Sequence, residues 1–68
     1  MRKQITEVPI WQKITLTMEE AAEYSNVGIN KIRELTDIPG CTFVVFVGKK
    51  RLIKRKEFER YIEARSML

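Results

Sequence analysis

The spacing of apolar residues changes along the chain, and each change predicts an element. Ile10, Ile14 and Leu16 fall on a period of two broken by Gln12, which predicts a strand over Ile10 to Leu16. Pro9 lacks an amide hydrogen, so that strand must start at an edge or an end of a sheet. Thr17-Met18-Glu19-Glu20 has the form of a helix start: the Thr17 hydroxyl can accept from the Glu20 amide while the Glu20 side chain reaches back to the amide of Thr17. Met18, Ala21, Ala22 and Ser25 then recur at i, i+3, i+4 and i+7, a helical stripe of small residues that lets a second helix cross closely. Asn26 and Gly28 mark a turn, with Val27 placed to plug the junction. A second helix is predicted from Gly28 or Ile29 to Asp37, with Ile32 and Leu35 facing inward and Asn30, Lys31, Arg33 and Glu34 on the outer arc. It ends before Ile38-Pro39, because the residue preceding a proline avoids the helical region.

The β-branched and aromatic run Phe43-Val44-Val45-Phe46-Val47 predicts a strand, Gly48-Lys49-Lys50 a turn, and Arg51 to Lys54 the returning strand of a hairpin. Lys56 to Ala64 reads as a last helix whose inner stripe is Phe58, Tyr61, Ile62 and the stem of Arg65. The predicted fold is thus α+β, in the order strand, helix, helix, β-hairpin, helix. Two short helices joined by an Asn/Gly turn make a helix-turn-helix, and the hairpin after them makes it a small winged helix-turn-helix. Residues 1 to 7 read as a flexible N-terminal arm and residues 8 to 68 as a single winged-helix domain. In a domain of this size, Trp11, Tyr24, Phe43, Phe46, Phe58 and Tyr61 are expected mostly inside; the alternative is an open stacking platform for bases.

Charge changes the picture more than composition does. The 68 residues carry 13 basic and nine acidic side chains, for a net charge of +4. Residues 49 to 68 alone hold eight basic and three acidic ones, and six of those eight lie in Lys49-Lys50-Arg51-Leu52-Ile53-Lys54-Arg55-Lys56. Such a cluster repels itself unless a polyanion meets it. Double-stranded nucleic acid is the first candidate, an anionic membrane surface the second, and a merely solvated basic face the third. The longest apolar run, Phe43 to Val47, is far short of a membrane span, and Gln4, Thr6, Glu7 and Gln12 interrupt any signal-peptide core, so a cytoplasmic protein that does not bind membranes is expected.

Catalytic chemistry finds little support. With no histidine and one cysteine, neither an internal disulfide nor the usual zinc sites can form, and Cys41 reads as a small, partly buried filler. No nucleophile has an activating base in a recognisable motif, and Glu19, Glu20 and Glu23 read as a cap and a solvated face. No catalytic residue, metal or cofactor is expected.

DNA recognition gives the outer residues roles. A helix fits the major groove of B-DNA, where arginine can chelate guanine O6 and N7 and asparagine can pair with adenine N6 and N7. Asn30 and Arg33 stand three apart on one helical face, with Lys31 beside them and Glu34 able to accept from a cytosine amine. On the hairpin, Lys49 and Lys50 can meet phosphates and Arg51 a narrow minor groove. The same lysines can also discourage edge-to-edge strand pairing. Lys54, Arg55 and Lys56 crowd the start of the last helix, where cations oppose the helix dipole, which points to an external anion.

The segment Val8 to Ala22 resembles the N-terminal part of excisionases from conjugative transposons. The likeness continues through Tyr24, Val27-Gly28, Asn30-Lys31-Ile32-Arg33 and Leu35 and closes with Ile53-Lys54-Arg55-Lys56 and Phe58-Glu59. It spans positions 8 to about 62. Thr17-Met18-Glu19-Glu20-Ala21-Ala22 is shared with many small winged-helix regulators, including relatives of the MerR DNA-binding domain, and the stretch Thr36 to Phe43 departs from the family's pattern, with Pro39-Gly40-Cys41 shorter or differently turned. The resemblance implies a recombination directionality factor without catalysis of its own. Such a factor binds arm sites at the ends of an integrated element, bends the DNA and helps a tyrosine-recombinase integrase to excise it. Asn30, Lys31 and Arg33 match the family's major-groove reader, and Lys49, Lys50 and Arg51 its wing. Because one small domain offers few contacts against the cost of bending, cooperative binding of neighbouring copies is expected. The alternatives are a small transcriptional regulator of the same fold and a protein–protein adaptor using the face of Phe58 and Ile62.

Overall fold

The capping sequence at Thr17 sets the first helix. A computed structural model describes residues 8–68; the arm expected over residues 1 to 7 lies outside the described residues. Glu20 N donates to Thr17 Oγ1 and Thr17 N donates to Glu20 Oε1, both at 3.0 Å, so helix α1 (Met18–Ser25) opens on a complete capping box. Replacing Thr17 by alanine is expected to lower the unfolding free energy by about 1 kcal/mol, read from urea titrations, with the fold otherwise retained.

Asn26 closes α1 in the left-handed region, at φ 62°, which asparagine tolerates better than most residues. Ser25 Oγ donates to the Ala21 carbonyl and accepts from the Val27 amide, so groups freed at the helix end stay paired. Helix α2 (Ile29–Thr36) follows at once, with Ile32 and Leu35 buried as the spacing predicts.

Strands β1 (Thr15–Leu16), β2 (Val44–Val47) and β3 (Lys50–Lys54) form one antiparallel sheet in the order β1-β3-β2. The hairpin pairs Val44 with Ile53, Val45 with Leu52, Phe46 with Arg51 and Val47 with Lys50. Gly48 and Lys49 make the turn, Gly48 at a φ of 62° that favours glycine, so Lys50 is the first residue of the return strand and not part of the turn. Helix α3 (Arg55–Glu63) starts where β3 ends. The core is Leu16, Met18, Ala21, Ile32, Leu35, Phe43, Ile53 and Phe58, drawn from every layer. This is the α+β winged-helix arrangement that the element order predicts.

The first strand is much shorter than expected. Ile10–Gln12 form a 3-10 turn, closed by Gln12 N donating to the Pro9 carbonyl and Lys13 N to that of Ile10, and only Thr15 and Leu16 pair with β3. The reason is a missing partner. β1 runs antiparallel to β3, and past Lys54 the chain turns into α3, so the last link upstream is Arg55 N to the Ile14 carbonyl at 3.1 Å. Ile14 is consequently 85% exposed.

Three of the six aromatic residues also depart from expectation. Phe43 and Phe58 are buried, with ring centroids 5.2 Å apart, and Tyr61 packs on Phe43 at 5.0 Å. Trp11, Tyr24 and Phe46 are exposed. Trp11 goes outward with the 3-10 turn, Tyr24 lies at the rim between α1 and α3 with its hydroxyl on Glu59, and Phe46 stands on the hairpin beyond the rung that covers the core. Cys41 is half-buried against the core, as expected of a filler. Phe58 is fully buried, so the adaptor face suggested for it is not a surface.

Polar contacts tie α1 and the chain entering β1 to α3. Lys13 Nζ donates to Glu20 at 2.5 Å; Arg55 Nε donates to the Lys13 carbonyl at 2.7 Å and Nη1 to Glu59 at 3.2 Å; the Tyr24 hydroxyl donates to Glu59. The Lys13 hydrogen bond, reinforced by the Thr17 amide, holds the Glu20 carboxyl below its ordinary value of 4.5, and the Tyr24 hydroxyl and then Arg55 do the same for Glu59. Both groups are more acidic folded than unfolded. Their contribution is therefore complete above the ordinary carboxylate range and is lost as pH falls through the lowered values. The thermal midpoint is expected to drop as pH is taken below about 4.5, and less steeply in a Glu20→Gln, Glu59→Gln variant.

Candidate nucleic-acid interface

Helix α2 presents a polar outer face because Ile32, Leu35 and Thr36 take the inner one. Asn30, Lys31, Arg33 and Glu34 are all exposed. Lys31 Nζ pairs with Glu34 at 2.9 Å, and Arg33 Nη1 lies 3.5 Å from Asn30 Oδ1. These contacts stand in solvent and are worth little, so the side chains are free to exchange them for other partners. Lys31 and Arg33 against Glu34 leave α2 with a net charge of only +1, and Asp37 at its C-cap pairs with Arg51.

The hairpin is the opposite case. Lys49, Lys50, Lys54 and Lys56 are exposed and have no ion-pair partner among the described residues. The alternation of β3 puts Lys50 and Lys54 on one face, with Leu52 between them, and Arg51 on the other with Ile53. Lys54 N-caps α3 and Lys56 sits in its first turn, where their charges oppose the dipole without compensation except from Glu57. Phe46 and Val47, at 60% and 54% exposure, make the far end of the ribbon amphipathic.

Two of the ten sequence-predicted residues are engaged inside the protein. Arg55, whose side chain is 14% exposed, is held by the Lys13 carbonyl and Glu59. Arg51 is half-buried: its Nη1 donates to Thr36 Oγ1 at 2.9 Å and lies 3.2 Å from Asp37 Oδ1, and its guanidinium sits 5.5 Å from the centre of the Phe46 ring. The eight-residue basic run thus divides into four outward lysines and two inward arginines. Arginine suits the inward positions, since its planar fork can hold several acceptors at once.

Thr36 and Asp37 are the residues that sequence reasoning passed over. Thr36 is the one buried polar side chain among the described residues; its hydroxyl donates to the Arg33 carbonyl at 2.8 Å while accepting from Arg51. Its only signal in the sequence is a polar residue at i+4 from Ile32, on the inner face.

Among the described residues no helix is long and apolar enough to cross a membrane, and no group of three metal-ligating side chains comes together. The geometry offers two surfaces with different chemistry: a helix of net charge +1 rich in directional donors and acceptors, and a ribbon of unpaired lysines. Arg51 joins them, reaching from one to the end of the other.

The family described as the excisionase from transposon Tn916 matches residues 1–68. The excisionase from transposon Tn916 of Streptococcus agalactiae serotype V (strain ATCC BAA-611 / 2603 V/R) is 41% identical over 59 residues, covering 85% of this chain and 88% of that protein. A match over the full length and a close relative aligned over most of both chains place the protein in the Tn916 excisionase family.

Proposed function

We propose that the protein binds double-stranded DNA sequence-specifically at the arms of an integrated element, bends it, and so helps a tyrosine-recombinase integrase to excise the element. The family sets the coarse role: this is an accessory factor of transposon excision and not an enzyme. The finer reading rests on one observation, the contact of Arg51 with Thr36, which puts a lysine-bearing ribbon next to the end of an eight-residue helix with an exposed reading face.

In this reading α2 enters the major groove. Arg33 and Asn30 contact base edges, Lys31 and Glu34 adjust preference, and the ribbon lies over the adjoining minor groove with Lys49 and Lys50 on phosphates. Lys54 and Lys56 take one further phosphate each near the start of α3. Arg51 and Arg55, already held within the protein, contribute to the positive field without leaving their partners.

Gripping the duplex at two places bends it. Smooth bending of a 20–30 base-pair site costs on the order of 1–6 kcal/mol. One small domain offsets little of that, so neighbouring copies bind cooperatively at repeated sites. Footprinting and circular-permutation assays on the ends of the encoding element, with and without integrase, test the proposal. Protected repeats, a bend that grows as copies fill, and stronger protection with integrase are expected; a single protected site on straight DNA would refute it.

A further inference from the structure

The position of Arg51 suggests more than a stray contact. In the ladder it faces Phe46, two rungs outward from the Val44/Ile53 pair that covers the core. Unsupported hairpins are marginal beyond the layer they pack on. Here the supporting layer is replaced by a single side chain. Its Nη1 reaches Thr36 Oγ1 and Asp37 Oδ1 at the C-terminal end of α2, and the Phe46 ring lies against the guanidinium. Thr36 passes the connection on to the Arg33 carbonyl. An unbroken chain of hydrogen bonds thus runs from the ribbon to the backbone of a residue on the reading face of α2.

We infer that Arg51 is a positioning residue. It clamps the ribbon to the end of α2, so the separation of the helix from the wing is set in the free protein, and the DNA bends to meet a fixed spacing. The part that concerns DNA rests on the function proposed above; the clamp itself does not. Arginine is required because the two acceptors and the ring are engaged together, which a lysine ammonium on a flexible stem does not reproduce.

Three variants separate a clamp from a phosphate contact: Arg51→Met, Thr36→Val and Asp37→Asn. In the free protein, the clamp predicts that backbone ¹⁵N order parameters over Phe46 to Lys50 fall from rigid values of ~0.85 toward ~0.6 in each variant, while α1 and α3 are unchanged. On a duplex carrying the end of the element, each variant is expected to bind about tenfold more weakly with a smaller bend and an unchanged salt slope. The Arg51→Met, Thr36→Val double variant is expected to be no worse than either single one, because the two changes break the same link.

A phosphate-binding Arg51 would behave otherwise. Arg51→Met would reduce the salt slope by ~0.9, Thr36→Val would be silent, and Asp37→Asn would tighten binding by removing a negative charge. That pattern, or order parameters unmoved in Arg51→Met, would overturn the inference. Loss of hairpin order in the variants of a wild-type protein that fails to bind the duplex would keep the clamp and overturn the proposed function.

Discussion

Replacing Lys49, Lys50, Lys54 and Lys56 together by glutamine is expected to lower DNA affinity by about three orders of magnitude at 0.1 M salt. These four side chains are exposed and unpaired among the described residues, so the folded structure loses nothing by the change. Each phosphate neutralised contributes ~0.9 to the slope of log affinity against log salt. With about five phosphates met, the wild-type slope is about −4.5, or roughly a 500-fold loss of affinity between 50 and 200 mM salt. The fourfold variant should retain a slope near −0.9 and an unchanged circular dichroism spectrum. A variant whose slope stayed near −4.5 would mean that the ribbon is not the electrostatic contact. Preference among sequences is a separate matter: the proposed function assigns it to α2, whose outer face carries a net charge of only +1, and it should persist in the variant at low salt.

Phe43→Ala is expected to unfold the protein or leave it barely folded. Phe43 is 1% exposed and joins three elements, packing on Phe58 and Tyr61 of α3 at the entrance to β2. Its backbone carbonyl also accepts from Lys54 N at 2.7 Å. Truncating a buried phenylalanine costs about 3–5 kcal/mol, whereas a domain of this size has in total only ~0.05–0.15 kcal/mol per residue. Small cores leave no reserve. Urea titration followed by far-ultraviolet circular dichroism should show little or no folded baseline, and DNA binding should fail with it. Phe43→Leu, which retains most of the buried volume, should recover a cooperative transition. A stable Phe43→Ala variant would show that the α3 packing is dispensable for the wing's support.

The parts of this fold that depend on near neighbours in sequence were legible. The Thr17/Glu20 box, the inward Ile32 and Leu35, the outward Asn30, Lys31, Arg33 and Glu34, and the hairpin at Gly48 all follow from spacings of one to four residues, where chemistry and geometry are coupled directly. What failed depends on distant partners. Ile10 to Leu16 has the alternation of a strand, but whether it pairs is decided by where β3 turns into α3, some 40 positions later. Arg51 and Arg55 look like the lysines around them until Thr36 and the Lys13 carbonyl are found within hydrogen-bond reach. Burial of the aromatics was overstated for a related reason: apolar character says that a side chain prefers the interior, but Phe46 sits on a rung that no other layer covers.

That division bears on the proposed mode of DNA binding. In the proposed function the recognition residues are local features of one helix, whereas the angle at which the wing would meet the duplex is a tertiary property carried by Arg51, Thr36 and Asp37. Relatives sharing the α2 face but not the clamp would be expected to read similar bases and bend DNA less.

A grip at two grooves is tested most directly by probing both grooves of one complex. Dimethyl sulfate reports guanine N7 in the major groove, and hydroxyl radicals report the sugars that line the minor groove. Protection is predicted at both, in adjoining grooves on one side of the duplex. Asn30→Ala with Arg33→Ala should remove only the major-groove protection, and Lys49→Ala with Lys50→Ala only the minor-groove protection. Protection confined to one groove in the wild type, or α2 substitutions that leave the guanine N7 pattern intact, would contradict it.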